Sequence, residues 1–298
     1  MEENNKVIII LGTTAAGKTK IAVRLAKRFN GEIISADSRQ VYRGMDVGSG
    51  KDLKEYAGVR YHLIDCASPK RDFSVARWQM MANQEIKNIL KRGKVPVICG
   101  GTGLYISAIT EGYLLPPAGN NKIIRSRLSK KTLDELLREL KRVDFKTYAH
   151  IDRHNRRRVQ RALEIYYQTG KPKSALVGKS KPNFDFLKIG VAFPQEVLVK
   201  RISKRLRTRL EKEAMIQEVK KLRQSGVSWK RLEAFGLEYR FIARYLQGKT
   251  TYQEMYESLE KAIKDFSKRQ MTWFKRDKSV IWENDYSKIV ILVNNFLK

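Results

Sequence analysis

The sequence predicts an α/β protein: a parallel sheet flanked by helices, with a helical insertion domain and a helix-rich C-terminal part. Three observations predict it. Short β-branched runs alternate with segments of helical apolar spacing from Val7 to Cys99. A glycine-rich loop of phosphate-binding pattern joins the first run to the first helix. A polar, basic stretch without a strand candidate then interrupts the alternation before one more core strand returns.

Val7–Leu11 is the first strand, and Lys18–Phe29 carries helical spacing at Ile21, Leu25 and Ala26. Ile33 and Ile34 centre a second strand that ends at Ser35-Ala36-Asp37, and Tyr61–Ile64 reads as another. Asp72-Phe73-Ser74 starts a helix that runs through Lys91 and is stopped by Gly93. Val95–Cys99 is a buried strand. The pattern breaks at Leu115-Pro116-Pro117-Ala118-Gly119. From Asn120 to about Lys181 only helical spacing follows, at Leu133, Leu136, Leu137 and Leu140, then Val159, Leu163, Tyr166 and Tyr167. Leu187–Phe193 returns as a strand. Ile202, Leu206, Leu210 and Ala214 then recur every fourth position, Val280–Trp282 reads as a strand, and Tyr286–Leu297 as a closing helix. The expected division is a core of residues 1–114 and 185–298, with the insertion at 115–184.

Charge narrows the partners. Lys and Arg number 61 against 31 Asp and Glu, a formal net charge of +30. Self-repulsion of that size serves little in a protein that meets only small metabolites, whereas a polyanion such as nucleic acid is drawn to it. Adaptation for solubility is the alternative. No apolar run approaches the roughly 20 residues that span a bilayer. The N-terminus is acidic and then apolar, where a secretory signal puts positive charge first. A cytoplasmic protein without a membrane partner is expected. Cys66 and Cys99, the only two cysteines, exclude a disulfide framework and a four-cysteine zinc site, and read as small core residues.

Gly12-Thr13-Thr14-Ala15-Ala16-Gly17-Lys18-Thr19 fits G-x-x-x-x-G-K-[ST] between strand and helix. The glycines let backbone N–H groups close around phosphate oxygens, and the helix N-terminus adds its dipole. Lys18 supplies a point charge and the Thr19 hydroxyl a ligand for Mg²⁺. The pattern binds polyphosphate and is silent about the reaction. Asp37 follows the second strand and faces the same cleft, as either a helix cap or a functional carboxylate. Gly100-Gly101-Thr102-Gly103-Leu104-Tyr105 ends the Val95–Cys99 strand there, as a ligand-approach loop, a tight turn, or both. Tyr61-His62-Leu63-Ile64-Asp65 offers a weaker match to a Mg²⁺-holding strand. His62, His150 and His154 lack metal-ligand spacing. The run Asp152–Glu164, with Arg156, Arg157, Arg158 and Arg161, reads as a phosphate-backbone grip over a merely solvated face. In Lys268–Arg276, Trp273 and Phe274 stack bases or pack in the core, and the core is the preferred expectation.

Taken in order, GTTAAGKT, EIISADSRQVYRGMDVGSGK, YHLID, GGTGLYI, RRVQRALEIYYQTGKPKS and FSKRQMTWFKRD resemble the tRNA dimethylallyltransferase (tRNA isopentenyltransferase) family over almost the whole chain. The resemblance implies a P-loop NTPase-like core related to kinases and an insertion that grips the anticodon stem. It implies transfer of dimethylallyl from dimethylallyl diphosphate to N6 of the adenosine 3′ of a tRNA anticodon, with Mg²⁺. The loop, Gly12 to Thr19, would hold the diphosphate, with Thr19 on the metal. Asp37 would be the general base, with Lys18, Thr19 and Arg205 acting on the leaving group; Arg201 or Arg209 are alternative counterparts of that arginine. Asp37, Ser38, Arg39, Gln40 and Thr102 would lie at the tRNA base, and Arg127, Arg157, Arg158, Val159, Gln160 and Arg161 on the RNA. The chain departs from the family at Thr13 and Ala16 of the loop. It departs again at Phe235-Gly236-Leu237-Glu238-Tyr239-Arg240, where the family more often has Gly-Tyr-[Arg/Lys]-Glu. A monomer is the default expectation. A small-molecule kinase would account for the loop alone, and a non-catalytic RNA-binding protein for the charge alone.

Overall fold

The computed structural model describes residues 5–116, 119 and 121–298. The acidic start of the chain, and Pro117, Ala118 and Asn120 at the expected break, lie outside the described residues. The chain divides into two compact units, Met1–Ile106 with Asn183–Lys298, and Ser107–Pro182. The first division falls inside a helix, Gly103–Thr110, rather than at the proline-rich break the sequence singles out.

In chain order the elements are β1 (Lys6–Gly12), α1 (Lys18–Arg28), β2 (Gly31–Ser35), β3 (Tyr61–His62), α2 (Val75–Lys91), β4 (Val95–Gly100) and α3 (Gly103–Thr110). The second unit adds β5 (Tyr113–Leu114), α4 (Lys122–Ser129), α5 (Leu133–Val143), α6 (Phe145–His150), α7 (Arg156–Thr169), α8 (Lys173–Leu176) and β6 (Gly178–Lys179). The first unit resumes with β7 (Asp185–Val191), α9 (Gln195–Glu211), α10 (Met215–Gln224), α11 (Trp229–Phe235), α12 (Leu237–Leu246), α13 (Tyr252–Phe274), β8 (Ile281–Trp282) and α14 (Tyr286–Leu297).

The sheet of the first unit runs β3-β2-β4-β1-β7-β8, with every pairing parallel. Val7 to Leu11 have essentially no exposure, because a central parallel strand is covered on both faces and must be apolar throughout. Ile8 and Ile10 pack with Ala22, Leu25 and Ala26 of α1 and with Ile289 and Val293 of α14. Trp78 of α2 is fully buried and donates its indole N–H to the Ser35 carbonyl at 3.0 Å, tying that helix to the end of β2. β1 therefore delivers its loop, β2 its Asp37 and β4 its glycine turn to one edge of the sheet, where ligands of such folds bind.

Three expectations differ locally. The strand expected at Tyr61–Ile64 stops at His62, since Leu63 takes a left-handed φ of 60°. The four-residue period through Ala214 is cut after Glu211, and Ala214 itself (φ 56°) is the N-cap of α10. The stretch expected to lack strands contains β6, which pairs antiparallel with β5 through Tyr113–Lys179 and Leu114–Gly178. Two residues are too few for a period to show.

The second unit has its own core: Leu128, Leu136 and Leu140 against Val159, Ala162 and Leu163. A capping box starts α5, with Thr132 and Glu135 each satisfying the other's backbone N–H. Glu164, buried on α7, accepts two bonds from the Arg125 guanidinium at 2.7 and 3.0 Å. Among the described residues no helix is long and apolar enough to cross a membrane.

At the far edge from the loop, Glu32 on β2 is fully buried and meets His62 at 2.7 Å, Arg92 at 2.7 Å and Lys94 at 3.1 Å. Burial alone would raise its carboxyl; hydrogen bonds from those three groups outweigh that and hold it down, to about 2. Because the folded value lies below the ordinary 4.5, the carboxylate adds stability above that pH and loses it as the pH falls toward 2. Glu32→Gln is expected to destabilise the protein by about 2 kcal/mol near neutral pH. In thermal unfolding curves the gap between wild type and variant should close on acidification toward about pH 2–3; a gap independent of pH would refute the assignment.

Candidate active site

The loop between β1 and α1 is shaped by backbone as much as by side chains. Gly12 (φ 150°) lies so close to β7 that a Cβ there would sit 2.3 Å from the Val191 carbonyl oxygen. Ala15 (φ 62°) and Gly17 (φ 80°) take left-handed conformations that turn the loop onto the start of α1. Thr13 and Ala16 are buried, whereas Thr14, Ala15, Gly17, Lys18 and Thr19 line the cleft. The cavity they share with Asp37, Arg39, Gln40, Arg201, Arg205, Arg209, Glu238 and Gln270 has a volume of about 280 Å³.

Part of its lining is cationic. Lys18 Nζ donates to the Thr13 carbonyl at 2.6 Å, folded back across its own loop. Burial lowers its ammonium to about 8, with Cys99 and Asp37 opposing the shift and Arg205 adding to it. Arg205 of α9 hydrogen-bonds the Thr14 hydroxyl. Burial, and then the neighbouring Arg209, lower its guanidinium to about 10. The three arginines left open by the sequence all line the cavity but differ in their contacts. Arg205 touches the loop, Arg209 is buried against Asp52 at 3.3 Å, and exposed Arg201 lies 4.1 Å over the Phe193 ring. Cationic side chains short of water, gathered beside a glycine loop at the start of α1, are the groups that a polyphosphate requires.

Asp37 lines the same cavity. It caps no helix: Oδ1 accepts the Arg39 backbone N–H at 2.9 Å within a turn, and the side chain faces the cavity. The turn is locked from three sides. Ala36 N–H donates to the Cys99 carbonyl at 2.8 Å, and Thr102 N–H to the Ala36 carbonyl at 3.1 Å. Ser38 N–H donates to Thr102 Oγ1 at 3.0 Å. Gln40 accepts from Ser35 Oγ at 2.8 Å and donates to the Gly50 carbonyl at 2.9 Å. The turn after β4 is thus both a tight turn and part of the site. Arg39 does not present a free guanidinium; it pairs with Glu238 at 2.8 Å.

Gln270 escaped the sequence reading. Buried on α13, it accepts the Thr14 N–H at 2.8 Å and donates to the Gly101 carbonyl at 2.8 Å, bridging the phosphate loop to the glycine turn. Its one signal in the sequence is a polar residue inside the aromatic-basic run Lys268–Arg276. The two aromatics of that run separate: Phe274 is buried, while Trp273 remains exposed, against the expectation that both pack inside. Buried Cys99 lies beside Thr19, and burial pushes its thiol up to about 11, so it is an inert core group, as expected. Asp65 is no metal holder: it pairs with buried Lys51, which also bonds Asp46 and the Tyr42 carbonyl. His62 is held by Glu32 and Glu85.

In the second unit, Arg157, Arg158 and Arg161 of α7 line a groove of about 800 Å³ with Lys146, His150 and Lys173. Arg127 lies 5.6 Å over the Tyr167 ring, and Gln160 donates to the Arg125 carbonyl at 3.2 Å. Val159 requires correction. Lying between Arg158 and Gln160 on one helix, it points inward and is wholly buried in the unit's core, so its side chain cannot meet RNA.

Comparison with known proteins shows the family of the chain. The family described as IPP transferase matches residues 40–277. The chain is 43% identical to tRNA dimethylallyltransferase 2 of Treponema denticola over 279 residues, 93% of each chain. It is 44% identical to tRNA dimethylallyltransferase 1 of Syntrophus aciditrophicus over 274 residues, 91% of this chain and 89% of the other. Among solved structures it resembles the full-length tRNA isopentenylpyrophosphate transferase of Bacillus halodurans, with a TM-score of 0.72 and 36% identity over 99% of this chain and 96% of that one. A eukaryotic dimethylallyltransferase crystallised acting on tRNA superposes with a TM-score of 0.79 at 26% identity, covering 95% of this chain and 75% of that one. The chain belongs to the IPP transferase family, that of the tRNA dimethylallyltransferases.

Proposed function

We propose that this protein transfers the dimethylallyl group of dimethylallyl diphosphate to N6 of the adenosine immediately 3′ of a tRNA anticodon, releasing diphosphate. The observation that carries the reading is one cavity lined both by cations short of water, Lys18 and Arg205, and by the Asp37 carboxylate. Kinases use a carboxylate base as well, so the choice of a tRNA amine as acceptor is supported by the family of the chain and by the basic groove of the second unit. Substitution breaks the C1–O bond of the donor, forms C1–N6, and moves one N6 proton to Asp37. The leaving diphosphate gathers charge as that bond breaks, and Lys18, Arg205 and the loop N–H groups lie where that charge develops. Thr102 and the Ser38 turn brace Asp37 against the incoming base.

Mg²⁺ fits these residues. Among the described residues no cluster of His, Cys, Asp and Glu could hold a metal by itself, so the donors are few and hard: the Thr19 hydroxyl and, once bound, diphosphate oxygens. When bound, the ion would neutralise leaving-group charge. The basic groove of the second unit supports a grip on the anticodon stem through Arg157, Arg158 and Arg161. A monomer acting on cytoplasmic tRNA belongs to the same proposal.

Incubation with Mg²⁺, dimethylallyl diphosphate and a tRNA bearing adenosine 3′ of its anticodon should yield a prenylated adenosine on digestion and mass spectrometry. Folded protein that gives no product, or that consumes ATP in place of the prenyl donor, would overturn the reading.

A further inference from the structure

We propose that Glu238 is a positioning residue for this reaction: it holds the Arg39 guanidinium so that Asp37 keeps a carboxylate oxygen free for the acceptor amine. The inference rests on the function proposed above. Glu238 lies in the segment Phe235–Arg240, where the chain departs from its family and where sequence gave no role.

Asp37 and Arg39 are linked through the backbone, since Oδ1 of the first accepts the N–H of the second at 2.9 Å. The Arg39 side chain thus starts two residues from Asp37, and the two are electrostatically coupled. Left alone, a guanidinium in this half-buried place would turn to that carboxylate, engaging the oxygen the acceptor needs. Glu238 prevents this. Its carboxylate meets Arg39 Nη1 at 2.8 Å, with side-chain exposures of 15% for Arg39 and 7% for Glu238, while the guanidinium lies 5.4 Å over the Phe266 ring.

The backbone that carries Glu238 is built to keep it there. α12 is entered through Gly236 (φ 76°) and Leu237 (φ 39°), a left-handed leucine that persists only where packing over-determines it. The packing comes from the next residue. Tyr239 is fully buried and its hydroxyl donates to Glu218 Oε1 at 2.8 Å. Glu218 in turn accepts the N–H groups of Asp46, Val47 and Gly48 at 2.8, 2.6 and 3.1 Å. A Cβ on Gly48 would lie 2.8 Å from the Tyr239 ring, so the loop is seated directly on it. Two consecutive residues of α12 thus clamp both ends of the segment Asp37–Gly50. Glu238 acts at the end that carries the carboxylate.

Three variants test this at saturating tRNA and donor. Glu238→Leu should lower kcat about 30-fold with either KM changed less than about threefold, and Glu238→Gln, which keeps a neutral acceptor, about fivefold. Arg39→Met with Glu238→Leu removes both charges and should recover at least about tenfold of the loss, which a merely structural role would not allow. In the free protein, amide hydrogen exchange across 37–41 should quicken at least about tenfold in Glu238→Leu while α1 is unchanged. Unaltered kcat, a double variant slower than Glu238→Leu, or unaltered exchange would each overturn the proposal. Wild-type turnover in the same assay tests the functional reading separately, and the exchange measurement stands without it.

Discussion

Replacing Asp37 with asparagine is expected to lower kcat about 1,000-fold or more, with KM for tRNA and for dimethylallyl diphosphate within about threefold of wild type. Asparagine keeps the size of the side chain and can still accept the Arg39 N–H, so the turn braced by Ala36, Ser38 and Thr102 should survive. What is lost is the acceptor for the N6 proton. An exocyclic adenine amine is a weak nucleophile that becomes a strong acid as its bond to carbon forms, and the other described carboxylates lining the cavity are Glu238, Asp52 and Glu55. Glu238 is committed to Arg39 and Asp52 to Arg209, while Glu55 stands among Asp52, Lys20 and the arginines. Steady-state kinetics with prenylated adenosine counted by mass spectrometry would check this. A variant that retains more than about a tenth of wild-type kcat would remove Asp37 from the role of base.

The same residues show how far the sequence could be read. The loop, Asp37 and the glycine turn were legible because each is a short run fixed in spacing to a strand end, and the parallel sheet carries strand ends to one edge. Pairings between distant residues were not. Arg39 reads as a free cation until α12 brings Glu238 beside it, and Gln270 reads as one more polar residue until α13 lays it between two loops. Val159 sits in a basic run, yet it also shares the apolar spacing of Leu163 and Tyr166, and that spacing rather than the run tells that its side chain turns inward. The ribbon of β5 and β6 was invisible for a related reason: its partners are two residues long and far apart in the chain. Apart from Val159, long-range contacts decided each miss.

Arg205→Leu should have the second largest kinetic effect, lowering kcat/KM for dimethylallyl diphosphate about 100-fold or more. Its guanidinium meets Thr14 of the loop and is short of water, so it can neutralise leaving-group charge without first being stripped of solvent. Lysine should restore little, because a point charge on a flexible stem cannot span two diphosphate oxygens as the planar guanidinium does. The neighbours provide the contrast. Arg201→Leu, at an exposed side chain over Phe193, should cost less than about fivefold. Arg209→Leu strips a buried cation from Asp52 and Glu213 and should show itself first as a fall in thermal stability. Inorganic diphosphate, measured as an inhibitor, should weaken in step with kcat/KM in Arg205→Leu and hold nearly constant in Arg201→Leu. If instead Arg201→Leu carried the kinetic loss, the diphosphate would have to lie nearer Phe193 than the loop.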